Sequence, residues 1–263
     1  MGGLYPESYA KVVQDQLSNR GEPISVADFG SGAGDWVVGM ANEFPHAQII
    51  GFDLVPLCPL NAPSNARFET KDLNKDMSKY RGKFDMIQAR SMASGIIDYV
   101  SFLRKALCCL KPGGIYMDLN VLLFLYDEDL NPIKPAAGFA KLSYETLNVR
   151  CQFPNGVKSE NWSTHLESWI REESDFINIQ VDDFYIPTGW KGSERYCQQP
   201  ELSGDMMREN MKEIANAWRP VLLSHGVSEI QANAWVKDAE KELEVPGKLR
   251  AYVRWKAVCL VKE

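Results

Sequence analysis

The first half of the chain alternates short apolar runs with segments in which apolar residues recur every three or four positions. The runs predict buried strands, and the spaced pattern predicts amphipathic helices. The predicted strands are Ile24–Phe29, Gln48–Asp53, Ala66–Thr70, Lys83–Ala89 and Ile115–Asn120, and the predicted helices are 6–19, Trp36–Phe44 and Tyr99–Leu110. Because strands and helices alternate, we expect an α/β fold with a doubly wound, mostly parallel sheet.

Periodicity weakens after about residue 125. Helices are predicted near 138–148, 161–173, 204–224 and 228–243, and strands near 176–186 and 250–260. We expect these two strands to complete a seven-stranded sheet. The chain 1–263 is then a single domain, with a cofactor-binding half at 1–125 and an inserted helical cap with substrate-pocket elements at about 126–175 and 187–245.

Composition and charge narrow the choice of partners. The chain has 29 Lys and Arg against 35 Asp and Glu, a net charge of −6. An acidic surface repels phosphate backbones, so we expect no nucleic-acid partner. The six cysteines form no C-x-x-C pair, which is typical of reduced thiols in a cytoplasmic protein. The longest apolar run, near 121–125, is too short to span a bilayer, so no membrane partner is expected.

A glycine-rich turn, Gly30–Gly34, lies where the first strand meets the next helix. Glycine lets the backbone turn sharply and approach a ligand beside the free N–H groups of the helix. The spacing is one residue shorter than the dinucleotide fingerprint G-x-G-x-x-G. Asp28 and Asp35 flank the turn, and Asp53 ends the next strand, where a carboxylate can bind ribose hydroxyls. These acidic surroundings favour a nucleotide-like ligand with a cationic end.

With these features the chain resembles class I S-adenosylmethionine-dependent methyltransferases, and more closely the fungal secondary-metabolism methyltransferases related to the regulator LaeA. The resemblance rests on ADFGSGAGDWV, EFPHAQIIGFDLVP, NARFETKDLN, KFDMIQAR and LRKALCCLKPGGIYMDLN. It implies the Rossmann-like methyltransferase fold and S-adenosyl-L-methionine as cofactor. Asp53 would hold the ribose, and Asp72 with Leu73 the adenine. The cofactor-binding residues that it implies are Asp28, Gly30, Ser31, Gly32, Gly34, Trp36, Asp53, Leu54, Asp72, Leu73, Gln88, Ala89 and Arg90.

The acceptor site is less clearly marked. Methyl transfer from a sulfonium requires positioning, desolvation and in some enzymes a base. His165 and Tyr126 are the candidates for this catalytic role, because His46 and His225 occupy positions typical of structural residues. Aromatic side chains of the second half are candidates for an apolar substrate pocket. These are Tyr126, Trp162, Trp169, Trp190 and Tyr196. No metal site is predicted.

We therefore expect methyl transfer to a small-molecule secondary metabolite, at O, N or S, in the cytoplasm. Two alternatives stay open at this stage. One is a LaeA-like regulatory or protein methyltransferase, nuclear if regulatory. The other is a cofactor-binding fold that catalyses a non-methylating reaction. The sequence favours neither a monomer nor a homodimer.

Overall fold

The computed structural model describes residues 3–55, 58–92, 95–150, 162–172, 176–197 and 200–263, and for residues 122, 123, 150, 162–165 and 200 the backbone alone. The strands are β1 Ile24–Phe29, β2 Ala47–Asp53, β3 Ala66–Thr70, β4 Phe84–Arg90, β5 Leu110–Tyr126, β6 Phe176–Thr188 and β7 Ala251–Lys262. The helices are α1 Ala10–Gln16, α2 Asp35–Glu43, α3 Tyr99–Cys109, α4 Gly138–Arg150, α5 Trp162–Glu172, α6 Pro200–Ser224 and α7 Glu229–Leu243. Two short 3-10 helices are Glu7–Tyr9 and Ser78–Tyr80.

The strands form one seven-stranded sheet in the order β3-β2-β1-β4-β5-β7-β6. All four pairings among β1 to β5 are parallel. Asp28 pairs with Gly51 on one side and with Gln88 on the other. Parallel strands place their carboxyl ends at one edge of the sheet, so the turns that follow β1, β2, β3 and β4 share that edge. The predicted α/β class and the predicted sheet are confirmed.

The chain divides into two compact units. The first unit is Met1–Asn120, Leu166–Asp182 and Ala257–Glu263, and the second unit is Val121–His165 and Asp183–Lys256. Strands β5, β6 and β7 each contribute residues to both units. The expectation of a single domain stays a prediction.

Each unit has its own apolar core. In the first unit, the ring of Phe29 lies 5.6 Å from that of Phe52 and 6.2 Å from that of Phe102. In the second unit, α4, α6 and α7 pack together, and the ring of Phe139 stacks on Trp218 with centroids 5.7 Å apart. Burying aromatic side chains of this size contributes a large share of the stability of a unit.

Strand β5 differs from its predicted extent. The sequence predicts Ile115–Asn120, preceded by a turn at Pro112-Gly113-Gly114, but the strand runs from Leu110 to Tyr126. The pairing with β4 begins at Leu110 and resumes at Ile115 after a register shift, so the intervening residues form an irregularity within the strand. Gly114 fits there because a Cβ would lie 2.9 Å from the carbonyl oxygen of Lys111. Tyr126 therefore ends the strand instead of following it.

Two helix predictions also need correction. The helix predicted at 6–19 is shorter, since Glu7–Tyr9 is a 3-10 helix and α1 ends at Gln16. Helix α6 begins at Pro200 and not at 204, because a proline fits the first turn of a helix. Among the described residues, no helix is both long and apolar enough to cross a membrane.

Candidate functional site

The glycine-rich turn is held against the end of β2. The backbone N–H groups of Gly30 and Ser31 both donate to the carbonyl oxygen of Phe52, at 2.8 and 3.0 Å. The N–H of Gly32 donates to Oδ2 of Asp53 at 2.8 Å. The other carboxylate oxygen of Asp53 accepts the N–H of Val55 at 3.1 Å. The turn and the carboxylate that ends β2 therefore form one hydrogen-bonded structure.

Glycine is required at two positions of this turn. Gly34, the N-cap of α2, has φ +86°, and a Cβ there would lie 2.7 Å from the ring of Phe68. Gly30 has φ +83°, and a Cβ would lie 2.0 Å from Sδ of Met92. Left-handed backbone and close neighbours each disfavour a side chain. Because these positions are glycines, the backbone of the turn can pack directly against Phe68 and Met92.

A cavity of about 180 Å³ opens beside the turn, within the first unit. Five of the predicted cofactor residues line it: Gly30, Asp53, Leu54, Asp72 and Leu73. These residues come from the segments that follow β1, β2 and β3. Five more lining residues were missed by the sequence reasoning: Lys71, Asn74, Met92, Gly95 and Ile96. The sequence could have indicated Asn74, because it follows Asp72 by two residues, a spacing typical of a turn stabilised by an aspartate side chain.

Asn74 joins the two segments that form the walls of this cavity. Oδ1 of Asp72 accepts the backbone N–H of Asn74 at 3.0 Å and its side-chain amide at 3.2 Å. The same amide donates to the carbonyl oxygen of Gly95 at 3.2 Å, and Oδ1 of Asn74 accepts the N–H of Ile97 at 2.8 Å. The hydrogen bonds to Asn74 and the ion pair with Lys75 lower the pKa of Asp72, which keeps this carboxylate charged at neutral pH.

Asp28 and Gln88 lie side by side on β1 and β4, both almost fully buried. Burial raises the pKa of Asp28 to about 7, against the opposing influence of Arg90 and Gln88, while the nearby Asp53 adds to the rise. The amide of Gln88 is close enough to Asp28 to lower its pKa, but neither of its polar atoms has the geometry of a hydrogen bond to a described residue. A buried amide without a partner costs free energy, so it marks a position where a ligand can supply one.

Several predicted cofactor residues do not line the described cavity: Asp28, Ser31, Gly32, Gly34, Trp36, Gln88, Ala89 and Arg90. Ala89 is buried beside Asp118 on the opposite side of β4 from Gln88, because successive side chains of a strand alternate. Trp36 is 2% exposed, and its indole N–H donates to the carbonyl oxygen of Leu4 at 2.6 Å. Trp36 therefore fastens the N-terminal segment to α2. Arg90 is exposed at the end of β4.

Three of the predicted acceptor residues, Tyr126, Trp190 and Tyr196, belong to one aromatic cluster in the second unit. Its rings are those of Tyr126, Tyr185, Trp190, Tyr196 and Tyr252, with centroids of touching pairs 5.2–6.5 Å apart. Arg254 lies over the ring of Tyr126 at 5.3 Å. Burial raises the pKa of Tyr126, which favours the protonated phenol at neutral pH.

The remaining acceptor candidates are on α5. The side chains of Trp162 and His165 lie outside the described residues, and Trp169 is half-buried. The other two histidines have structural contacts: a ring nitrogen of His46 lies 2.8 Å from the carbonyl oxygen of Leu17, and Nδ1 of His225 lies 2.8 Å from that of Val221. In the part of the chain that the structure describes, no group of three or more His, Cys, Asp or Glu side chains could hold a metal.

Comparison with known proteins places this geometry in context. The model of a family described as "Methyltransferase domain" matches residues 2–174. The chain is 25% identical over 240 residues to the secondary metabolism regulator laeA of Coprinopsis cinerea, covering 88% of this chain and 58% of that protein. It is 29% identical over 224 residues to the methyltransferase pytC of Aspergillus terreus, covering 82% of this chain and 65% of that protein. The chain thus spans less than two thirds of the length of these curated relatives.

A solved structure shares the fold. The phosphoethanolamine N-methyltransferase 2 of Haemonchus contortus, in complex with S-adenosyl-L-methionine, superposes with a TM-score of 0.53 at 15% identity, covering 97% of this chain and 52% of that one. At this identity the likeness concerns the fold alone. It confirms the predicted Rossmann-like methyltransferase fold.

Proposed function

This chain belongs to the methyltransferase domain family, and we propose that it transfers a methyl group from S-adenosylmethionine to a small-molecule acceptor. The observation that carries the proposal is the cavity in which the glycine-rich turn meets Asp53 and the Asp72-Leu73 pair. These are the positions that the family resemblance assigns to the cofactor, and they come from three separate connections of the sheet.

The residues of the cavity fit an adenosine. Asp53 has both oxygens engaged by single N–H donors, and each oxygen keeps a lone pair for a ribose hydroxyl. Asp72 is charged and can accept from an exocyclic amine. Leu73 and Ile96 are buried and supply apolar surface for a planar base. The unpartnered amide of Gln88 and the carboxyl of Asp28 fit a polar methionine end, where an ammonium would favour the charged form of Asp28.

Catalysis by this chain would consist mainly of positioning and exclusion of water. When bound, S-adenosylmethionine would supply an electrophilic methyl group, because its positively charged sulfur can leave as a neutral thioether without help from an acid. The protein needs to hold the acceptor in line with that methyl group and to remove water from it. An acceptor that carries a proton on its O, N or S atom would also lose that proton, and His165 stays the predicted residue to receive it. Because burial favours its protonated form, Tyr126 would orient an acceptor by donating a hydrogen bond.

Tyr126, Trp190 and Tyr196, which belong to the aromatic cluster, stay the predicted acceptor-binding residues. Tyrosine and tryptophan side chains offer rigid apolar surface with polar tips, a combination suited to small ring-containing molecules. The chain is also 29% identical to the methyltransferase pytC over 82% of its length, which supports methyl transfer. For a small-molecule acceptor we propose a cytoplasmic location.

Calorimetry with S-adenosylmethionine and S-adenosylhomocysteine tests the cofactor site. We expect Asp53→Ala to weaken binding by at least about tenfold, since it removes a charged hydrogen-bond acceptor. Asp76→Ala is the matched control: Oδ1 of Asp76 likewise accepts the N–H two residues later, at 3.0 Å, but Asp76 does not line the cavity. If the wild type bound neither compound, the proposed function would be wrong.

A second candidate function is methylation of a protein or a regulatory role. The identity to a protein named secondary metabolism regulator, over 88% of this chain, favours it. Incubation with a cofactor labelled in its methyl group separates the two candidates. Label in small molecules from a metabolite extract supports the first, and label in polypeptides from a protein extract supports the second.

A further inference from the structure

A network of buried polar side chains joins the first residue of helix α3 to strand β5, outside the cavity. Oδ2 of Asp118 accepts the hydroxyl of Tyr99 at 2.5 Å and that of Tyr116 at 2.7 Å. The side-chain amide of Asn120 donates to Oδ1 of Asp118 and, at 3.0 Å, to the hydroxyl oxygen of Tyr99. All four side chains are at most 1% exposed. Three of them are on β5, and only Tyr99 comes from another element.

Tyr99 is the first residue of α3, directly after the connection from β4. The described part of this connection is residues 91, 92 and 95–98, which we call the β4–α3 connection. Its first residue is also held by β5, because the N–H of Ser91 donates to the carbonyl oxygen of Leu119 at 2.8 Å. The first residue of the connection and the residue directly after it are therefore bound to three consecutive residues of β5: Asp118, Leu119 and Asn120.

The middle of the same connection forms a wall of the cavity. Met92, Gly95 and Ile96 line it, and Sδ of Met92 lies in the space that a side chain at Gly30 would fill. The hydrogen bonds of Asn74 to Gly95 and Ile97 fix this wall to the opposite one. A shift at the start of α3 would therefore move residues that lie against the glycine-rich turn.

We propose that Tyr99, through its bonds to Asp118 and Asn120, is a positioning residue for the cofactor cavity: it fixes the β4–α3 connection so that Met92, Gly95 and Ile96 form the wall. This inference rests on the proposed function, because it assumes that the cavity binds S-adenosylmethionine. A buried charged acceptor with three donors is stiff, since losing any donor leaves a costly unpaired lone pair. Burial and the adjacent Asp118 raise the pKa of Tyr99 well above its usual range, so the hydroxyl remains a donor.

The network provides its own control. Tyr99→Phe and Tyr116→Phe each remove a hydroxyl that donates to the same oxygen of Asp118, at fully buried sites. Tyr116 belongs to β5 itself, so Tyr116→Phe keeps the direct hydrogen bond from Tyr99 to Asp118 that joins α3 to β5, whereas Tyr99→Phe removes it. A purely structural role would affect the two variants through stability alone.

The dissociation constant for S-adenosylhomocysteine is measured for both variants well below their unfolding midpoints. We expect it to rise roughly fivefold in Tyr99→Phe and to stay within about twofold of wild type in Tyr116→Phe. Amide hydrogen exchange at Gly95 and Ile97, measured without ligand, should accelerate in Tyr99→Phe alone. If Tyr99→Phe does not fold, Asn120→Leu replaces it, because it removes a hydrogen-bond donor to the Tyr99 hydroxyl.

Equal dissociation constants for the two variants, or equal exchange, would overturn the positioning role. A wild-type protein that binds no cofactor would instead contradict the proposed function. In that case the exchange comparison still decides whether Tyr99 orders the connection. The two failures are therefore distinguishable.

Discussion

The two units of this protein assemble their candidate sites in different ways. In the first unit, the cavity is built from connections that directly follow β1, β2, β3 and β4, and its polar contacts involve backbone N–H groups and carboxylates. In the second unit, the aromatic cluster joins rings from β5, β6, β7 and the segment after β6. A site at strand ends is determined by short motifs, whereas a cluster of rings depends on packing between distant segments.

The largest effect that we predict tests whether the two units depend on each other. Phe139→Ala removes a fully buried ring that stacks on Trp218 in the core of the second unit. The cost should be about 4 kcal/mol of unfolding free energy, as for other buried phenylalanines. If the cofactor site belongs to the first unit alone, calorimetric affinity for S-adenosylhomocysteine will stay at the wild-type value below the unfolding midpoint. Loss of affinity in the folded variant would show that the second unit shapes the cofactor site as well.

The next effect concerns the protonation of Asp28 in the first unit and the pH dependence of stability that follows from it. Burial raises the folded-state pKa of Asp28 to about 7, above the ordinary value of 3.8 for this side chain. The native state therefore holds a proton that the unfolded state releases, and this stabilising contribution is lost as the pH rises through 7. Asp28→Asn should remove roughly 3 kcal/mol of the decrease in unfolding free energy between pH 5 and pH 8. Asp118, with its pKa raised to about 6, should keep a smaller decrease of the same sign in the variant.

Urea titrations at several pH values check this prediction. The difference between wild type and Asp28→Asn should grow with pH and level off above about pH 8. A constant difference across the range would mean that Asp28 is charged throughout. Addition of a cationic ligand should reduce the pH dependence of the wild type, because an ammonium favours the carboxylate.

The sequence predicted most of the fold because its elements are local and periodic. Strands β1, β3 and β4 and helix α3 have bounds within one residue of their predicted bounds. Strand β5 was predicted too short, because its irregular start depends on pairing with Phe84 and not on any property of Pro112 and its neighbours. Pairing across a sheet is a tertiary property, and it overrides the tendency of a proline-glycine sequence to form a turn.

The site residues that belong to short sequence motifs were predicted, and those outside such motifs were not. Asp53 ends β2, where its position predicted a ribose-binding carboxylate, and Asp72 follows β3, where the family resemblance implied an adenine contact; both line the cavity. Met92 and Ile96 belong to a connection with no periodic pattern, so nothing in the sequence marked them. Trp36 stays a predicted cofactor residue, and its indole N–H donates to the carbonyl oxygen of Leu4, a partner 32 positions away in the chain. Such a contact is created by folding and has no local signature.

A smaller effect separates steric from backbone strain at a glycine. Gly34 and Gly226 both have φ +86°, but a Cβ at Gly34 would lie 2.7 Å from the ring of Phe68, whereas at Gly226 nothing lies within 4 Å. Both alanine variants are destabilised by the left-handed backbone. The difference between their unfolding free energies therefore measures the clash of the new Cβ with Phe68. We expect Gly34→Ala to be less stable than Gly226→Ala by about 2 kcal/mol, measured by thermal unfolding. It should also bind the cofactor more weakly, while Gly226→Ala should not.

The smallest predicted effect concerns the role of Tyr126 in the aromatic cluster. Burial raises its pKa, which disfavours loss of its proton near neutral pH, and among the described residues no hydrogen bond involves its hydroxyl. Tyr126→Phe should therefore change stability by only about 0.5 kcal/mol and leave the shape of the pH–rate profile between pH 6 and 9 unchanged. Tyr126→Ala, which also removes the contact with Tyr185, should raise the KM for the acceptor. If Tyr126→Phe instead abolished a pH-dependent limb of the profile, the phenol would be acting as a base. The second unit would then contribute chemistry as well as surface, and its contrast with the first unit would be weaker.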